Sequence, residues 1–418
     1  MKTTPPLSIG PAAEQPPPAR RDFFIDWLRI IALGLLILYH VGMAYVSWGW
    51  HVKSAAATPE LAALVEPWMR LTAPWRMTLL FVVSGLATAL MLHRRRATQG
   101  SAGRGWLGQR ARRLLLPLLT GMVLIVPVQS YFEVRQFHGF AGSSLDFLRL
   151  YFSGYGGFCA PQRGCLVLPT WNHLWFLPYL FAYTALLALV LRRWPAVIDR
   201  AAARLTALLA GAGLLLWPLA WFALTRATLK PLFGETHAFV DDLFLHTQYA
   251  LAFALGVLLA HPAAAPLWPR LQAMRHLALA LALLAWALVV VTAPGATWRL
   301  LPWSVMQWCA VVAALGYAKR HLQRDGAARR ALSAAVFPVY LFHQTVTVAA
   351  VAWLAPWQLP AAAEAALLVA STFGLSWAGY EGVRRLARRV PALGPWFGLA
   401  DAAPRPQRRA AITAPSSA

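Results

Sequence analysis

The sequence predicts an all-α protein, a polytopic transmembrane bundle of about ten helices with both termini in the cytoplasm. Three observations predict it: an apolar composition, ten apolar stretches of span length and an uneven distribution of basic residues. Hydrophobic residues make up 59% of the 418 positions and charged residues only 13%, about half the charged share of soluble domains. A soluble protein of this size would need more charge on its surface.

Ten stretches of the chain have the length and composition of a membrane span, which needs about 20 mostly apolar residues. Each must pair its backbone groups within its own helix, because lipid offers no hydrogen-bond partner. Pro and Gly interrupt the flanks of the third and tenth stretches. The predicted spans are 24–46, 72–92, 113–132, 173–191, 205–224, 243–260, 276–292, 298–318, 332–354 and 361–380.

The positions of the basic residues predict the orientation of the bundle. A net charge of +23 could indicate nucleic-acid binding. However, with the N-terminus in the cytoplasm, 29 of the 38 Lys and Arg residues lie on the cytoplasmic side and nine on the other. Cytoplasmic loops of membrane proteins carry such an excess. Most of these side chains are therefore predicted to set topology and contact lipid headgroups, and no nucleic-acid partner is expected.

One folded domain is predicted at 22–390, between two disordered cytoplasmic segments at 1–21 and 391–418, which are rich in Pro and Ala. Cys159 and Cys165 bracket turn residues in a loop predicted to lie outside, which permits a disulfide but does not require one. No His/Cys spacing of a metal site is present, so neither a metal nor a permanently bound cofactor is predicted.

The first predicted span carries three ionisable residues, which are costly in a bilayer and therefore candidates for function. Asp26 and Arg29 are three positions apart and could pair. Arg29 and His40 are eleven apart, about three turns, and so share a helical face. A neutral imidazole at this depth can accept a proton from a hydroxyl, which makes His40 a candidate general base. The alternatives are an interfacial ion pair and a structural histidine.

Other polar residues could converge with His40, although interfacial anchoring would explain several of them equally well. Two long outer loops, about 47–71 and 133–172, have a Gly and aromatic composition that suits a polar acceptor such as a sugar. Arg110 and Arg113 share a helical face and could bind donor phosphates. The candidates for substrate binding are His343, His173, Arg76, Trp50, His51 and Glu133.

These motifs together resemble acyltransferase family 3, a family of polytopic membrane proteins. The spacing of Arg29 and His40, with ten residues between them, is the most specific part of the resemblance. The other matching stretches are Asp26-Trp27-Leu28-Arg29, Phe81-Val82-Val83-Ser84-Gly85, Arg110-Ala111-Arg112-Arg113, His173-Leu174-Trp175-Phe176-Leu177 and Val339-Tyr340-Leu341-Phe342-His343-Gln344.

The resemblance implies an O-acyltransferase that moves an acyl group from cytoplasmic acyl-CoA to a carbohydrate hydroxyl outside. His40 would be the catalytic residue, with Arg29 and Asp26 beside it, and Arg110 and Arg113 would bind the donor. The stretches 48–53 and 75–77 resemble family members that succinylate osmoregulated periplasmic glucans. This closer resemblance implies succinyl-CoA, a periplasmic glucan and the bacterial inner membrane, with Arg76 or Lys53 near the succinyl carboxylate.

A transporter or flippase of a polar or lipid-linked sugar is the alternative from another functional class. Transporters often show repeated halves with broken helices at matching positions, and no such repeat is visible. A sensor or scaffold without chemistry is a third alternative, and an intact Arg29–His40 face argues against it. The sequence makes no prediction of oligomeric state.

Overall fold

The computed structural model describes residues 22–99, 105–161, 163–293 and 295–399, and these form an all-α bundle as predicted. The α-helices are α1 Phe24–Gly42, α2 Pro59–Thr72, α3 Arg76–Gln99, α4 Trp106–Thr120, α5 Val126–Phe137, α6 Ser144–Ser153, α7 Phe176–Arg193, α8 Pro195–Leu208, α9 Gly213–Thr228, α10 Lys230–Phe233, α11 Leu243–Leu259, α12 Leu267–Val291, α13 Leu300–His321, α14 Ala327–Leu354 and α15 Ala361–Arg389.

Eight helical segments in the described part of the chain are long and apolar enough to cross a membrane. The chain is therefore a multi-pass membrane protein. The segments are Phe24–Gly42, Pro59–His93, Trp106–Phe137, Asn172–Arg193, Leu267–Val291, Thr297–His321, Ala327–Trp357 and Ala361–Arg389.

The fifth and sixth predicted spans are helical but differ from a simple span. The stretch 205–224 crosses a break at which α8 and α9 are bent by 103° relative to each other. Gly211 lies in this break with a φ of +57°, a conformation that glycine adopts without strain. The sixth predicted span corresponds to α11, which is 17 residues long. Counted as one span, this helix pair brings the number in the described part of the chain to nine instead of the ten predicted, and α11 is a further, shorter apolar helix.

Helix α11 lies directly against α3 through two glycines. A Cβ atom on Gly256 would lie 1.9 Å from the carbonyl oxygen of Val82, and one on Gly85 would lie 2.1 Å from that of Phe253. Small residues permit this close backbone approach, which stabilises helix pairs in membranes through van der Waals contact. The contact fixes the position of α3, which carries one wall of the site described below.

The third predicted span is a helix with a local change of register. Helices α4 and α5 are joined by a π-helical turn at Gly121–Ile125, where the N–H of Val126 donates to the carbonyl of Gly121. Pro127 follows at the start of α5 and has no N–H to continue an α-helical register. Such π-turns occur frequently at functional sites.

Short elements outside the bundle arise from local sequence signals. Helix α6 begins at a capping box in which Ser143 and Asp146 exchange side-chain and backbone hydrogen bonds. Strands β1 Cys159–Ala160 and β2 Gly164–Cys165 pair antiparallel. The disulfide that the sequence permits is formed between Cys159 and Cys165.

The predicted tail at 391–418 begins too early. Residues Pro391–Phe397 form a 3₁₀ helix in which Gly394 is buried, and the described chain continues to residue 399. Composition indicated disorder because the tail is rich in Pro, Ala and Arg, but Phe397 packs against Phe342 of α14. Residues 400–418 and the predicted N-terminal segment 1–21 lie outside the described residues.

Candidate active site

A cavity of about 520 Å³ lies between α1, α3, α4, α7 and α14, within the size range of small-molecule sites. It brings together seven of the eleven residues predicted from the sequence: Arg29, His40, Trp50, His51, Arg110, Arg113 and His173. The other four, Asp26, Arg76, Glu133 and His343, do not line it.

Helix α1 carries both Arg29 and His40 on the face that lines this cavity, as the spacing predicts. Eleven residues of helix correspond to about 16 Å along the axis. The cavity therefore extends from an end lined by arginines to an end lined by histidines and tryptophan. We refer to these as the arginine end and the histidine end.

At the histidine end, His40 contacts His343 of α14. Nδ1 of His40 and Nε2 of His343 are 2.9 Å apart, and the ring planes differ by only 8°. Nδ1 of His343 lies 2.7 Å from the backbone carbonyl of Tyr340. His343 is fully buried and lies behind His40 as seen from the cavity. The sequence predicted direct substrate binding by His343, whereas the structure places it as the support of His40.

This chain of contacts fixes the protonation of both neutral rings. A carbonyl oxygen can only accept, so Nδ1 of His343 carries the proton and Nε2 of His343 is an acceptor. Nδ1 of His40 must then donate to it. Nε2 of His40 is left with a free lone pair on a ring that lines the cavity. This is the arrangement that a general base requires.

His173 lies beside this pair with both ring nitrogens engaged. Nε2 donates to the carbonyl of Leu341 at 3.2 Å, and Nδ1 accepts from the Gln129 amide at 3.3 Å. Its ring meets that of His343 edge-on, with centroids 5.3 Å apart. His173 is therefore held rigidly in the cavity wall.

Gln129 of α5 connects the helices around the histidines. Its Oε1 accepts from Asn172 at 3.1 Å and from Gln344 at 3.0 Å. Its Nε2 also donates to Thr345, whose hydroxyl donates to the carbonyl of Ile125 in the π-turn. Sequence reasoning missed Gln129 as a functional residue. The sequence did contain a signal for Gln129, because an uncharged polar residue inside an otherwise apolar span needs hydrogen-bond partners there.

The arginine end is lined by Arg29, Arg110 and Arg113. Arg110 also donates to the Thr88 hydroxyl at 3.3 Å. None of the described residues lining the cavity is an aspartate or a glutamate. This end is therefore a concentration of positive charge without an acidic side chain in the cavity wall.

Asp26 forms an ion pair with Arg329 of α14. The sequence had predicted only Arg29 as its partner. Arg329 also contacts Asp325 at 2.8 Å. Arg329 is 2% exposed, so removing its charge from water requires such carboxylates. Asp26 thus connects α1 to α14 beneath the cavity and does not reach the cavity itself, which corrects its predicted catalytic position.

The loop after α1, predicted to lie outside, brings Trp50 and His51 to the cavity. Nδ1 of His51 lies 2.5 Å from Oε2 of Glu133, which fixes the imidazole orientation. Arg163, in the loop between β1 and β2, donates to the carbonyl of Trp50 at 2.6 Å and lies 3.9 Å from Glu133. Glu133 therefore acts on the cavity through His51 rather than by lining it.

Two cations predicted near a succinyl carboxylate are engaged elsewhere. Arg76 is 4% exposed and lies over the ring of Tyr39, 3.7 Å from its centroid. Lys53 donates to the carbonyls of Met43 and Val46 at 2.7 and 2.6 Å, just past the end of α1. Burial, together with the nearby Arg163, lowers the pKa of Lys53 to about 8. Neither side chain lines the cavity.

A comparison with known families identifies the class of protein. The sequence profile of acyltransferase family 3, described as an acyltransferase domain, matches residues 22–381. The chain belongs to acyltransferase family 3. Membership of this family, together with the apolar helices of span length, favours a membrane enzyme over the transporter alternative.

Among curated proteins, this acyltransferase is similar to glucans biosynthesis protein C of Escherichia coli. The proteins from strain K12, strain SMS-3-5 and strain O1:K1 / APEC are each 28% identical to it over 178 residues. These residues are 43% of this chain and 41% of each relative. The match therefore spans less than half the length of the relatives. No solved structure matches the acyltransferase.

Proposed function

We propose that this acyltransferase takes an acyl group from acyl-CoA on the cytoplasmic side and transfers it to a carbohydrate hydroxyl on the opposite side, with His40 as general base. The observation that carries the proposal is a single cavity with a histidine of fixed tautomer at one end and three arginines at the other.

The hydrogen bonds of the histidine pair support His40 as the general base. An acceptor hydroxyl placed at Nε2 of His40 would give up its proton to that nitrogen while its oxygen attacks the thioester carbonyl. The C–S bond then breaks, and the proton on His40 passes to the departing thiolate. As the ring becomes positive, its Nδ1–H continues to donate to His343, so no rearrangement is required. General base catalysis contributes about 10²–10⁴ in rate.

The arginine end supports a coenzyme A thioester as the acyl donor. Guanidinium groups bind phosphate oxygens through charge-assisted, often bidentate, hydrogen bonds. Arg29, Arg110 and Arg113 would hold the phosphates of coenzyme A, and the acyl-bearing arm would extend along the cavity toward His40. The walls between the two ends are mainly apolar, with Leu33, Leu36 and Met77 among them, which suits a thin neutral arm.

The residues that line the histidine end support a carbohydrate as the acyl acceptor. Trp50 and Trp175 provide aromatic surface, and His51, Asn172 and His237 provide polar atoms around it. This combination suits a carbohydrate, which presents apolar ring faces and hydroxyl edges. The relatives' name, glucans biosynthesis protein C, supports a glucan as the acceptor. A periplasmic glucan would place the protein in the bacterial inner membrane, with its arginine end inside.

The proposal concerns first the class of donor and then the particular acyl group that it carries. Acyl-CoA as the donor class rests on the arginine end. Succinyl, which the family resemblance implies, has less support because Arg76 and Lys53 do not line the cavity. Comparing acetyl-CoA with succinyl-CoA in the same assay decides between a neutral and an anionic acyl group.

The test is turnover of the purified protein with acyl-CoA and a glucan acceptor, measured by release of coenzyme A thiol and by acylated product. His40→Ala is expected to lose at least about a hundredfold in kcat. His276→Ala is the control, since His276 lies on α12 and bonds Tyr317 outside the cavity. Full turnover by His40→Ala, or no turnover by the wild type with either donor, contradicts the proposal.

A further inference from the structure

A second cavity of about 270 Å³ adjoins the arginine end. Arg110, Arg113 and Met91 line both cavities, so the two adjoin at these side chains. Arg95 and Arg112 line only the second one. We refer to this second cavity as the vestibule.

The C-terminal segment 391–399 forms one wall of the vestibule. Pro395, Gly398 and Leu399 line it. This segment lies beyond residue 381, where the family match ends, so the motifs that define the family do not include it. It is a feature of this chain that no comparison assigns to a function.

The segment is held in place by specific contacts. Phe397 stacks on Phe342 of α14, with ring centroids 6.3 Å apart. Gly398 has a φ of +73°, and a Cβ atom there would lie 2.0 Å from Cδ1 of Phe337. The N–H of Leu399 donates to the carbonyl of Gly394 at 3.0 Å. Because Phe337 lines the main cavity, the segment is packed against the walls of both spaces.

The chemistry of the vestibule is that of a site for a phosphorylated aromatic group. Four guanidinium groups line it, and none of the described residues that line it is acidic. Arg95 is oriented by a 2.7 Å hydrogen bond to Gln109. Trp106 and Met91 provide an apolar surface beside these charges. A nucleotide combines a flat, largely apolar base with phosphate groups, and both parts would be accommodated.

We propose that the vestibule binds the nucleotide end of the donor and that Pro395, Gly398 and Leu399 of segment 391–399 are part of this binding site. The inference rests on the proposed function, since it takes acyl-CoA as the donor. It divides the donor between two spaces: the acyl-bearing arm occupies the main cavity, and the phosphorylated nucleoside occupies the vestibule.

The test compares a complete donor with a truncated one. The better of acetyl-CoA and succinyl-CoA is used beside the matching acyl-pantetheine, which lacks the nucleotide. Arg95→Gln combined with Arg112→Gln is expected to raise KM for acyl-CoA at least about tenfold. The kinetics with acyl-pantetheine should not change. Arg388→Gln with Arg389→Gln removes the same charge from exposed positions of α15 and is the matched control.

A second pair of variants tests the segment itself. Pro395→Trp adds bulk to the vestibule wall and should raise KM for acyl-CoA without affecting acyl-pantetheine. Pro391→Trp places the same residue at an exposed position of the segment outside the vestibule and should behave as the wild type.

The outcomes separate this inference from the proposed function. Wild-type turnover with acyl-CoA, together with vestibule variants that affect both donors equally or neither, overturns the inference and leaves the function intact. A wild type that does not use acyl-CoA overturns both. If the arginines instead bind the phosphate of an anionic lipid, their loss would reduce activity with both donors. That loss would occur in nanodiscs containing phosphatidylglycerol and be absent in phosphatidylcholine alone, which also overturns the inference.

Discussion

The two ends of the main cavity differ in how their polar groups are satisfied. At the histidine end, His40 is hydrogen-bonded to His343 and His173 to Gln129, and His343 and His173 each also bond a backbone carbonyl. At the arginine end, three guanidinium groups line a wall that contains no acidic residue among those described.

This difference suits two different roles, catalysis at the histidine end and ligand binding at the arginine end. Hydrogen bonds to these ring nitrogens hold the histidines in one orientation, which a catalytic base needs before the substrate arrives. Clustered positive charge repels itself, and an anionic ligand relieves that repulsion. On the proposed function, the histidine end would perform the chemistry and the arginine end would bind the donor, so changes at the two ends should affect different kinetic constants.

The largest expected effect comes from breaking the support of the base. His343→Ala removes the acceptor for Nδ1–H of His40 and allows the ring to adopt the other tautomer. We expect kcat to fall about a hundredfold, with little change in KM for acyl-CoA. Steady-state kinetics check this. His343→Gln keeps an acceptor oxygen near Nδ1 and should recover part of the rate. A fall in donor binding with unchanged kcat would contradict the assignment.

The next effect is expected at the arginine end. Arg110→Ala with Arg113→Ala should raise KM for acyl-CoA about tenfold to a hundredfold, with a smaller change in kcat, because each guanidinium removed costs charge-assisted contacts to phosphate. The paired control is Arg200→Ala with Arg204→Ala, on α8 away from the cavity. An equal KM in both double variants would remove the arginine end from donor binding.

A moderate effect is expected from the contact between Glu133 and His51 at the histidine end of the cavity. Glu133→Gln weakens the contact that orients His51 and should lower kcat/KM for the acceptor about tenfold, because His51 lines the cavity. The KM for the donor should stay unchanged. Glu60→Gln is the control, since Glu60 is exposed in the first turn of α2 and does not line the cavity. If the two variants have the same acceptor kinetics, His51 does not contact the acceptor.

The smallest effect is expected from the hairpin loop. Arg163→Ala removes the hydrogen bond to the Trp50 carbonyl and should raise KM for the acceptor a few-fold by loosening Trp50. Arg149→Ala is the control, because Arg149 is exposed and pairs only locally with Asp146 in α6. A change in donor KM in Arg163→Ala would show that the two ends are not independent.

Local sequence spacing predicted the parts of the site that lie on one helix. The shared face of Arg29 and His40 follows from helical geometry alone. The same argument places Arg110 and Arg113 together on α4. The apolar stretches predicted the spans because lipid leaves helices as the available structure.

Contacts between distant parts of the chain could not be predicted in this way. His343 lies 303 positions from His40, and Arg329 lies 303 positions from Asp26. No spacing rule connects such residues, since helix packing decides which faces meet. The nearest partner in sequence was therefore predicted for Asp26, and the ion pair with Arg329 of α14 was missed. The bend between α8 and α9 was missed because apolarity alone does not report a change of direction.

The central claim is that one end of the cavity binds the donor and the other performs the transfer. The most direct measurement is the affinity for free coenzyme A of the wild type, of His40→Ala and of Arg110→Ala with Arg113→Ala, each beside its turnover. The account predicts that His40→Ala binds coenzyme A as tightly as the wild type but does not turn over, whereas the arginine double variant loses affinity. Equal loss of affinity in both variants, or full affinity in the arginine variant, would contradict it.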